Sequence, residues 1–505
     1  MERRLTLAIA LSLLVLMSWS AWVSKTYHPE NKEVTTKNAP PINIPYQPAP
    51  SLVVERVPPP ASLFKFTQEK LEITFIEPQA AIKEVVFKAY QNYKLPLRNG
   101  FFLVDNALLF KKESSSNAAV TFIHRDQNKE ITKKFIFSNA NYTIDLDIEM
   151  QNLSALPLKM NLPLILGALY FDPKNIQARY QEVTVATKDK VLHPNAHKDV
   201  DFEKVNFLAL RDRYFCALVE PESDNYGGFI RKISPQESEI GLKPTEITLL
   251  PGQSTKQKFR IYLGPQELKI INHVKPEWST VVYYGTFDFI SQMLLRLLGF
   301  LFQLVHNWGL AIVILSLVIY AVLYPLTLKQ MRSMKEMQAL QPQIEELRKT
   351  CKDNPQKLNK EIMELYRQHK VNPMGGCLPL ILQIPIFFAL YQALLRSVVL
   401  KGANFLWIKD LSEPDRLFLL PKSLPIIGNE INILPVIMAI GMFSQQKLSM
   451  AKSGGAAAEQ QKLMLIMFPL MFGFIFYRMP AGLVLYWFIN STLTLIYQFR
   501  ISQEK

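Results

Sequence analysis

The chain has 505 residues, 49% of them hydrophobic, and carries 57 Lys and Arg against 43 Asp and Glu, a formal net charge of +14. Its three cysteines, Cys216, Cys351 and Cys377, are too few and too far apart for a disulfide framework or a zinc site. The apolar residues are gathered into long uncharged runs, which excludes a purely soluble chain. The positive excess is therefore assigned to cytoplasmic loops and anionic lipid, with no direct nucleic-acid specificity.

Residues 1–24 open with Arg3 and Arg4 and continue through an uncharged run from Leu5 to Ser24. The run is long for the apolar part of a cleaved leader, and Trp19 and Trp22 stand where small residues should precede a cleavage site. A retained signal-anchor helix with a cytoplasmic N-terminus is expected. Residues 25–62 are polar and proline-rich (APPINIPYQPAP, VPPPA), with too little apolar surface to fold, and read as a flexible linker. From 63 to 280 the pattern turns to short strands. In Tyr142–Met150, Tyr142, Ile144, Leu146, Ile148 and Met150 alternate with Thr143, Asp145, Asp147 and Glu149, the period of a strand with one face in a core. LEITFI, EVVF, AVTFIH and KQKFRIYL repeat this between Pro, Gly and Asn turns, which implies an antiparallel β-sandwich outside the cytoplasm.

Two groups in this region invite chemistry. Asp145, Asp147 and Glu149 share a strand face, as paired carboxylates of a glycosidase do, although a solvated face is the commoner use of such a row. His193 and His197 have the spacing of helical metal ligands, but Pro194 lies between them and no HExxH surrounds them. They are expected in a loop, and no catalytic residue, cofactor or metal is assigned.

In residues 286–306, Asp288, Gln292, Arg296, Gly299, Gln303 and His306 recur every three or four positions among Phe, Leu, Met and Ile, an amphipathic helix suited to the outer membrane interface. Gly309–Leu328 follows without a charge, long enough to cross the ~30 Å hydrocarbon core. Ser316, Tyr320 and Tyr324 fall on one face of that helix, and by themselves are accounted for by bonding to their own helix carbonyls. Pro325 is expected to end the span. Residues 329–370 hold ten Lys or Arg and two apolar-periodic helices about Asp353-Asn354-Pro355, a cytoplasmic hairpin. Met374–Leu395, Ile431–Gln446, Leu463–Tyr477 and Ala481–Phe499 complete six spans, with both termini cytoplasmic and residues 25–306 outside. The fourth and fifth spans are short and joined by a flexible AKSGGAAAEQQ, which favours a locally thinned membrane.

Asn372–Leu395, NPMGGCLPLILQIPIFFALYQALL, closely resembles the signature of the YidC membrane protein insertases, bacterial members of a family shared with mitochondria and chloroplasts. The resemblance extends to NWG and YPLT at Asn307 and Tyr324, the charged hairpin, LWIKDLS at Leu406 and MPAGLVLYWFINS at Met479. LLPGQSTKQKFRIYLGP is similar to the last strands of the family's periplasmic domain. The fold class implied is an α-helical polytopic membrane protein of six spans with an antiparallel β-sandwich periplasmic domain and a five-span core at 307–500, in the bacterial inner membrane. The function implied is a non-enzymatic insertase and chaperone that inserts, folds and helps assemble inner-membrane proteins, alone or with the Sec translocon.

In that family, spans two to six enclose a hydrophilic groove, and clients leave along a hydrophobic slide of the third and fifth spans. By position the groove would take Ser316, Tyr320, Tyr486 and Trp487; Gln383, Gln445 and Asn490 join them because polar groups inside a membrane are costly and tend to face a cavity. The slide would take Ile384, Phe388, Leu395, Phe468 and Phe472, residues that ordinary lipid-facing packing explains equally well. Partners implied are nascent membrane proteins, the Sec translocon and anionic lipids. The chain ends RISQEK without a long basic tail, so ribosome contact by that route is not expected.

One position departs from the family pattern. Where the family usually carries an arginine in span two, thought to attract acidic parts of the client, this chain has Tyr320, a hydroxyl without charge. Two rival classes are distinguished by features the sequence can carry. A polytopic transporter or channel with a periplasmic binding domain calls for repeated halves and paired intramembrane charges, which spans two to six lack. An envelope-anchored carbohydrate-active enzyme calls for a carboxylate pair in a pocket.

Overall fold

The computed structural model describes residues 62–503, except 106, 139–140, 172–176, 224, 352–353, 370, 372–377, 425–427 and 450–455. The expected first span and all but the last residue of the linker lie outside the described residues, as do Cys377, Asp353 of the hairpin turn and residues 451–455 of the 451–461 linker.

The alternation in Tyr142–Met150 appears as the strand Thr143–Asn152, whose Ile144, Leu146, Ile148 and Met150 are buried while Asp145 and Glu149 are exposed. It lies inside a nine-stranded sheet that runs Val191–Leu192, Glu182–Ala186, Phe207–Arg211, Phe215–Pro221, Ser254–Pro265, Thr143–Asn152, Lys129–Phe137, Ala119–Arg125 and Lys111–Ser115, each neighbour antiparallel. The facing layer is a four-stranded meander, Leu63–Thr67 to Tyr93–Gly100, beside a five-stranded sheet that contains Leu164–Tyr170 and Tyr226–Ser234. Phe75 of the meander packs on Phe122 and Phe135 of the large sheet, ring centroids 5.4 and 5.2 Å away. All three sheets converge at Gly167, where a Cβ would lie 3.3 Å from the Leu97 carbonyl oxygen and 3.4 Å from Leu210 Cδ1. This is the largely apolar interior of a sandwich, and it also encloses a lysine. Lys133 is fully buried and donates to the carbonyls of Ala80 (2.7 Å) and Phe101 (2.5 Å). Burial disfavours its charge and draws its pKa down to about 7.

The carboxylates on the outer strand face are matched by the neighbouring strand: Lys256 lies 2.8 Å from Asp147, and Arg260 lies 3.3 Å from Asp145. His193 and His197 sit outside strands and helices; the His193 ring stacks on Tyr283 (4.1 Å), and the His197 ring lies tilted against Phe171 (3.8 Å).

After the sandwich come α1 (Leu268–Val274), α2 (Asp288–Val305), α3 (Trp308–Ala339), α4 (Gln341–Thr350), α5 (Pro355–Gln368), α6 (Leu378–Arg396), α7 (Leu434–Ser449), α8 (Ala456–Phe476) and α9 (Ala481–Gln503). Among the described residues, two helices, Gly285–Val305 and Trp308–Met337, are long and apolar enough to cross a membrane by length and composition. Two boundaries differ from expectation. α3 continues through Pro325, whose ring costs one backbone hydrogen bond without ending the helix. α8 begins at Ala456, inside the stretch read as a flexible linker, because Ala, Glu, Gln and Lys are strong helix formers.

α2 buries Leu294, Leu298 and Leu301 and exposes Phe289, Met293, Phe300 and Leu304 beside Arg296 and Gln303, so its outer face mixes apolar and polar side chains. Ser291 Oγ pins it to α6 by donating to the Ala389 carbonyl at 2.9 Å. At the start of α3, Phe405 occupies the space where any side chain on Gly309 would sit, which is a local reason for the glycine of NWG.

Candidate functional site

The N-terminal turns of α3 and α9 and the C-terminal half of α6 pack tightly. Ala311, Ile312, Leu315, Ala389, Leu394, Leu483 and Val484 are essentially inaccessible. Toward the hairpin the bundle opens into a cavity of about 270 Å³. Tyr320, Thr327 and Met331 of α3 line it, with Gln383 of α6, Gln445 of α7 and Phe468 of α8. α9 contributes Trp487, Asn490, Ser491, Thr494 and Gln498. None of the described residues lining it is charged; the polarity is that of amides and hydroxyls. Much of it is already engaged with the protein. Asn490 Nδ2 donates to the Tyr486 carbonyl (3.0 Å), Thr494 Oγ1 to the Asn490 carbonyl (2.8 Å), and Thr327 Oγ1 to the Leu323 carbonyl (3.1 Å). Gln498 Oε1 is buried and has no protein partner.

Five of the seven proposed groove residues, Tyr320, Gln383, Gln445, Trp487 and Asn490, meet at this cavity. The other two do not line it. Ser316 is fully buried and donates to the Ile312 carbonyl of its own helix at 2.8 Å, the local bonding open to any membrane serine. Tyr486 is buried beneath the cavity wall, where its hydroxyl accepts from Gln383 Nε2 at 2.8 Å and so orients that amide. Tyr324 packs edge-on against Tyr497. Thr327, Ser491, Thr494 and Gln498 were not anticipated. The signal was present in the spacing of 487, 490, 491, 494 and 498, one face of α9.

Of the proposed slide, Ile384 and Phe388 are exposed on α6, Phe468 is exposed beside the cavity, and Phe472 is half-buried between Phe468 (4.7 Å) and Trp487 (5.8 Å). Leu395 is a correction. It is 3% exposed within the closed end of the bundle, and its carbonyl accepts from Arg213, so it belongs to the packed floor instead of a slide.

That floor rests on the loop 401–416, which joins four elements. Ala481 N and Gly482 N at the start of α9 donate to the carbonyls of Glu413 and Leu411. Asp415 Oδ2 accepts from Ile433 N and Leu434 N at the start of α7. From the sandwich, buried Arg213 donates to the carbonyls of Leu395 (2.8 Å) and Ser412 (2.5 Å) and to Glu413 Oε1 (2.9 Å). Arg396 at the end of α6 returns the contact, donating to Glu182 Oε1 at 2.5 Å; Glu182 also pairs with Arg211. Burial opposes the charge of Glu182, but the two guanidiniums hold its carboxyl below the usual range. Beside them, burial first and the Arg211 charge second push the pKa of His193 down to about 4, so its imidazole is neutral.

The two halves of the chain match two family models, the YidC periplasmic domain over residues 65–297 and the 60Kd inner membrane protein over residues 300–505. A membrane protein insertase YidC of Syntrophobacter fumaroxidans is 35% identical over 387 residues, covering 74% of this chain and 68% of the relative. One from Pelobacter propionicus is 30% identical over 557 residues, covering 100% of this chain and 99% of the relative. A solved crystal structure described as an active YidC insertase with its first transmembrane domain resolved is 20% identical, covers 87% of this chain and 94% of its own, and superposes with a TM-score of 0.41. With relatives this similar over most of their length and both family models placed in order, the chain belongs to the YidC family of membrane protein insertases.

Proposed function

We propose that the chain inserts nascent membrane proteins by receiving their polar segments in the cavity between α3, α6 and α9 and releasing their apolar segments along the exposed faces of α6 and α8. As a member of its family it is a membrane protein insertase of the inner membrane with a β-rich periplasmic domain. The observation that carries the mechanistic reading is the juxtaposition of a cavity of about 270 Å³, whose mixed wall sets amides and hydroxyls among Leu323, Met331, Met442 and Trp487, with exposed Ile384, Phe388 and Phe468. A polar segment entering a bilayer loses water, and each unmatched polar group costs several kcal/mol there; Asn490, Gln383 and Gln498 offer partners at that depth. The tightly packed opposite end supports closure toward the periplasm.

In this reading six spans place both termini in the cytoplasm and residues 25–306 on the periplasmic side. Residues 1–24 anchor the chain, 25–62 tether the sandwich at 63–280, and 286–306 lies in the outer interface. The hairpin within 329–370 stands in the cytoplasm, where its methionines meet clients before the core at 307–500 takes them. Clients arrive directly or from the Sec translocon, and basic loops contact anionic lipid. The role needs no cofactor and no bond-making step, which separates it from an enzyme. Reconstituted in liposomes, the wild-type protein is expected to insert a single-span client, and Gln383→Leu with Asn490→Leu to reduce insertion strongly while leaving the protein folded. Full insertion by the double variant refutes the cavity as the route.

A further inference from the structure

α8 presents two different faces. Phe472 and Phe476 pack on Trp487 and Phe468 lines the cavity between α3, α6 and α9, whereas Ile466, Leu470 and Phe474 lie on the opposite side. There they line a second space of about 910 Å³ together with Val436, Ile440 and Phe443 of α7. The two helices touch at small residues and leave this gap beside the contact: a Cβ on Gly473 would lie 3.2 Å from Ala439 Cβ, while one on Gly441 would meet nothing within 4 Å. The lining is almost wholly apolar, and the protein leaves it uncovered, with Ile440 61% and Leu470 65% exposed. Its polar members stand together at the C-terminal end of α8. The Tyr477 hydroxyl is engaged, donating to the Glu430 carbonyl at 2.8 Å and accepting from Asn432 N at 3.2 Å. Arg478, exposed at the same end, brings a cation to the mouth of an apolar groove.

We infer that this groove binds the acyl chains of one anionic phospholipid, with its phosphate on Arg478. The volume lies within the ~300–1,000 Å³ of ordinary ligand sites, the apolar walls match hydrocarbon, and a guanidinium suits a phosphate. A client helix is the less fitting occupant, because the groove lies across α8 from the polar cavity that would hold the client's polar part. The inference rests on the reading of α7 and α8 as membrane spans.

The test places the photoreactive p-benzoylphenylalanine at Ile440, and for reference at Leu317, in the full chain reconstituted in vesicles of equal parts phosphatidylglycerol and phosphatidylcholine. Adducts are weighed after irradiation. At Ile440 phosphatidylglycerol adducts are expected to exceed phosphatidylcholine adducts about fivefold, the preference one basic residue gives near an anionic headgroup. At Leu317 the two lipids are expected in equal amounts. Arg478→Gln removes the preference at Ile440 and Arg478→Lys keeps it. Equal capture at Ile440 in the wild type, or capture of another protein chain there, overturns the lipid site while leaving the spans intact. Lipid capture at Leu317 with none at Ile440 overturns it as well. Absence of lipid adducts at both positions overturns the membrane placement on which it rests.

Discussion

Replacing Arg213 by Leu tests how the sandwich is held to the helical core. Arg213 is only 6% exposed, at the turn between two strands, and reaches across the junction with three donors. The leucine removes the donors from two carbonyls, Leu395 and Ser412, that lie in buried surroundings. Each loss costs about 1–3 kcal/mol. The ion pair adds less than a fully buried one, because Glu413 is 27% exposed and keeps Arg416 at 3.5 Å. The total is about 3 kcal/mol, or roughly a hundredfold in the opening equilibrium of the junction. Amide hydrogen exchange on the full protein reads this locally. Exchange within 401–416 and at Ala481 and Gly482 is expected to accelerate by roughly that factor, while Thr143–Asn152 in the sandwich stays protected. A change of less than about threefold at the loop, against the roughly hundredfold expected from the lost bonds, refutes the reasoning.

Further outcomes follow from the buried titratable groups and the cavity. His193 binds its proton only near about 4 when folded, against about 6.5 unfolded. The unfolded chain therefore holds more protons between those values, and stability falls as pH drops through that window; His193→Phe keeps the stack on Tyr283 and is expected to flatten the fall in thermal unfolding between pH 6.5 and 4. Lys133 has a folded pKa of about 7 and an unfolded one of about 10.4, so its contribution rises with pH above 7. Thermal unfolding from pH 7 to 9 is expected to show that rise in the wild type and to lose it in Lys133→Met. Tyr320→Arg adds a charge to the cavity and is expected to favour clients with acidic tails in a reconstituted insertion assay. A wild type that already shows the full acidic preference refutes the inference from Tyr320.

The sandwich was legible because a strand with one buried face must alternate, and Ile144 to Met150 do so without interruption. The helical core was legible as uncharged runs, but helix ends were not. Pro325 is tolerated inside α3, and the run AAAEQQ obeys helix propensity although it reads as a linker. The cavity was half legible. Large polar residues such as Gln383 and Asn490 stand out in an apolar run, whereas Thr327 and Thr494 look like any serine or threonine bonded to its own helix. Ser316 shows the converse, a residue that the family resemblance places in the groove and whose hydroxyl bonds its own helix, as its pattern alone indicates. The junction was not legible at all, since Arg213 and Glu413 are 200 residues apart and each reads as an ordinary surface charge.

The most direct test of the central claim is site-specific photo-crosslinking of a ribosome-bound, single-span client arrested during insertion, with the probe placed in turn at Thr494, Tyr320, Phe388 and Leu483. Thr494 and Tyr320 are expected to capture the client's polar flank and Phe388 its apolar segment, with none at Leu483 in the packed end. Capture at Leu483 equal to that at Thr494, or none at Thr494 and Tyr320 while insertion proceeds, contradicts passage through the cavity.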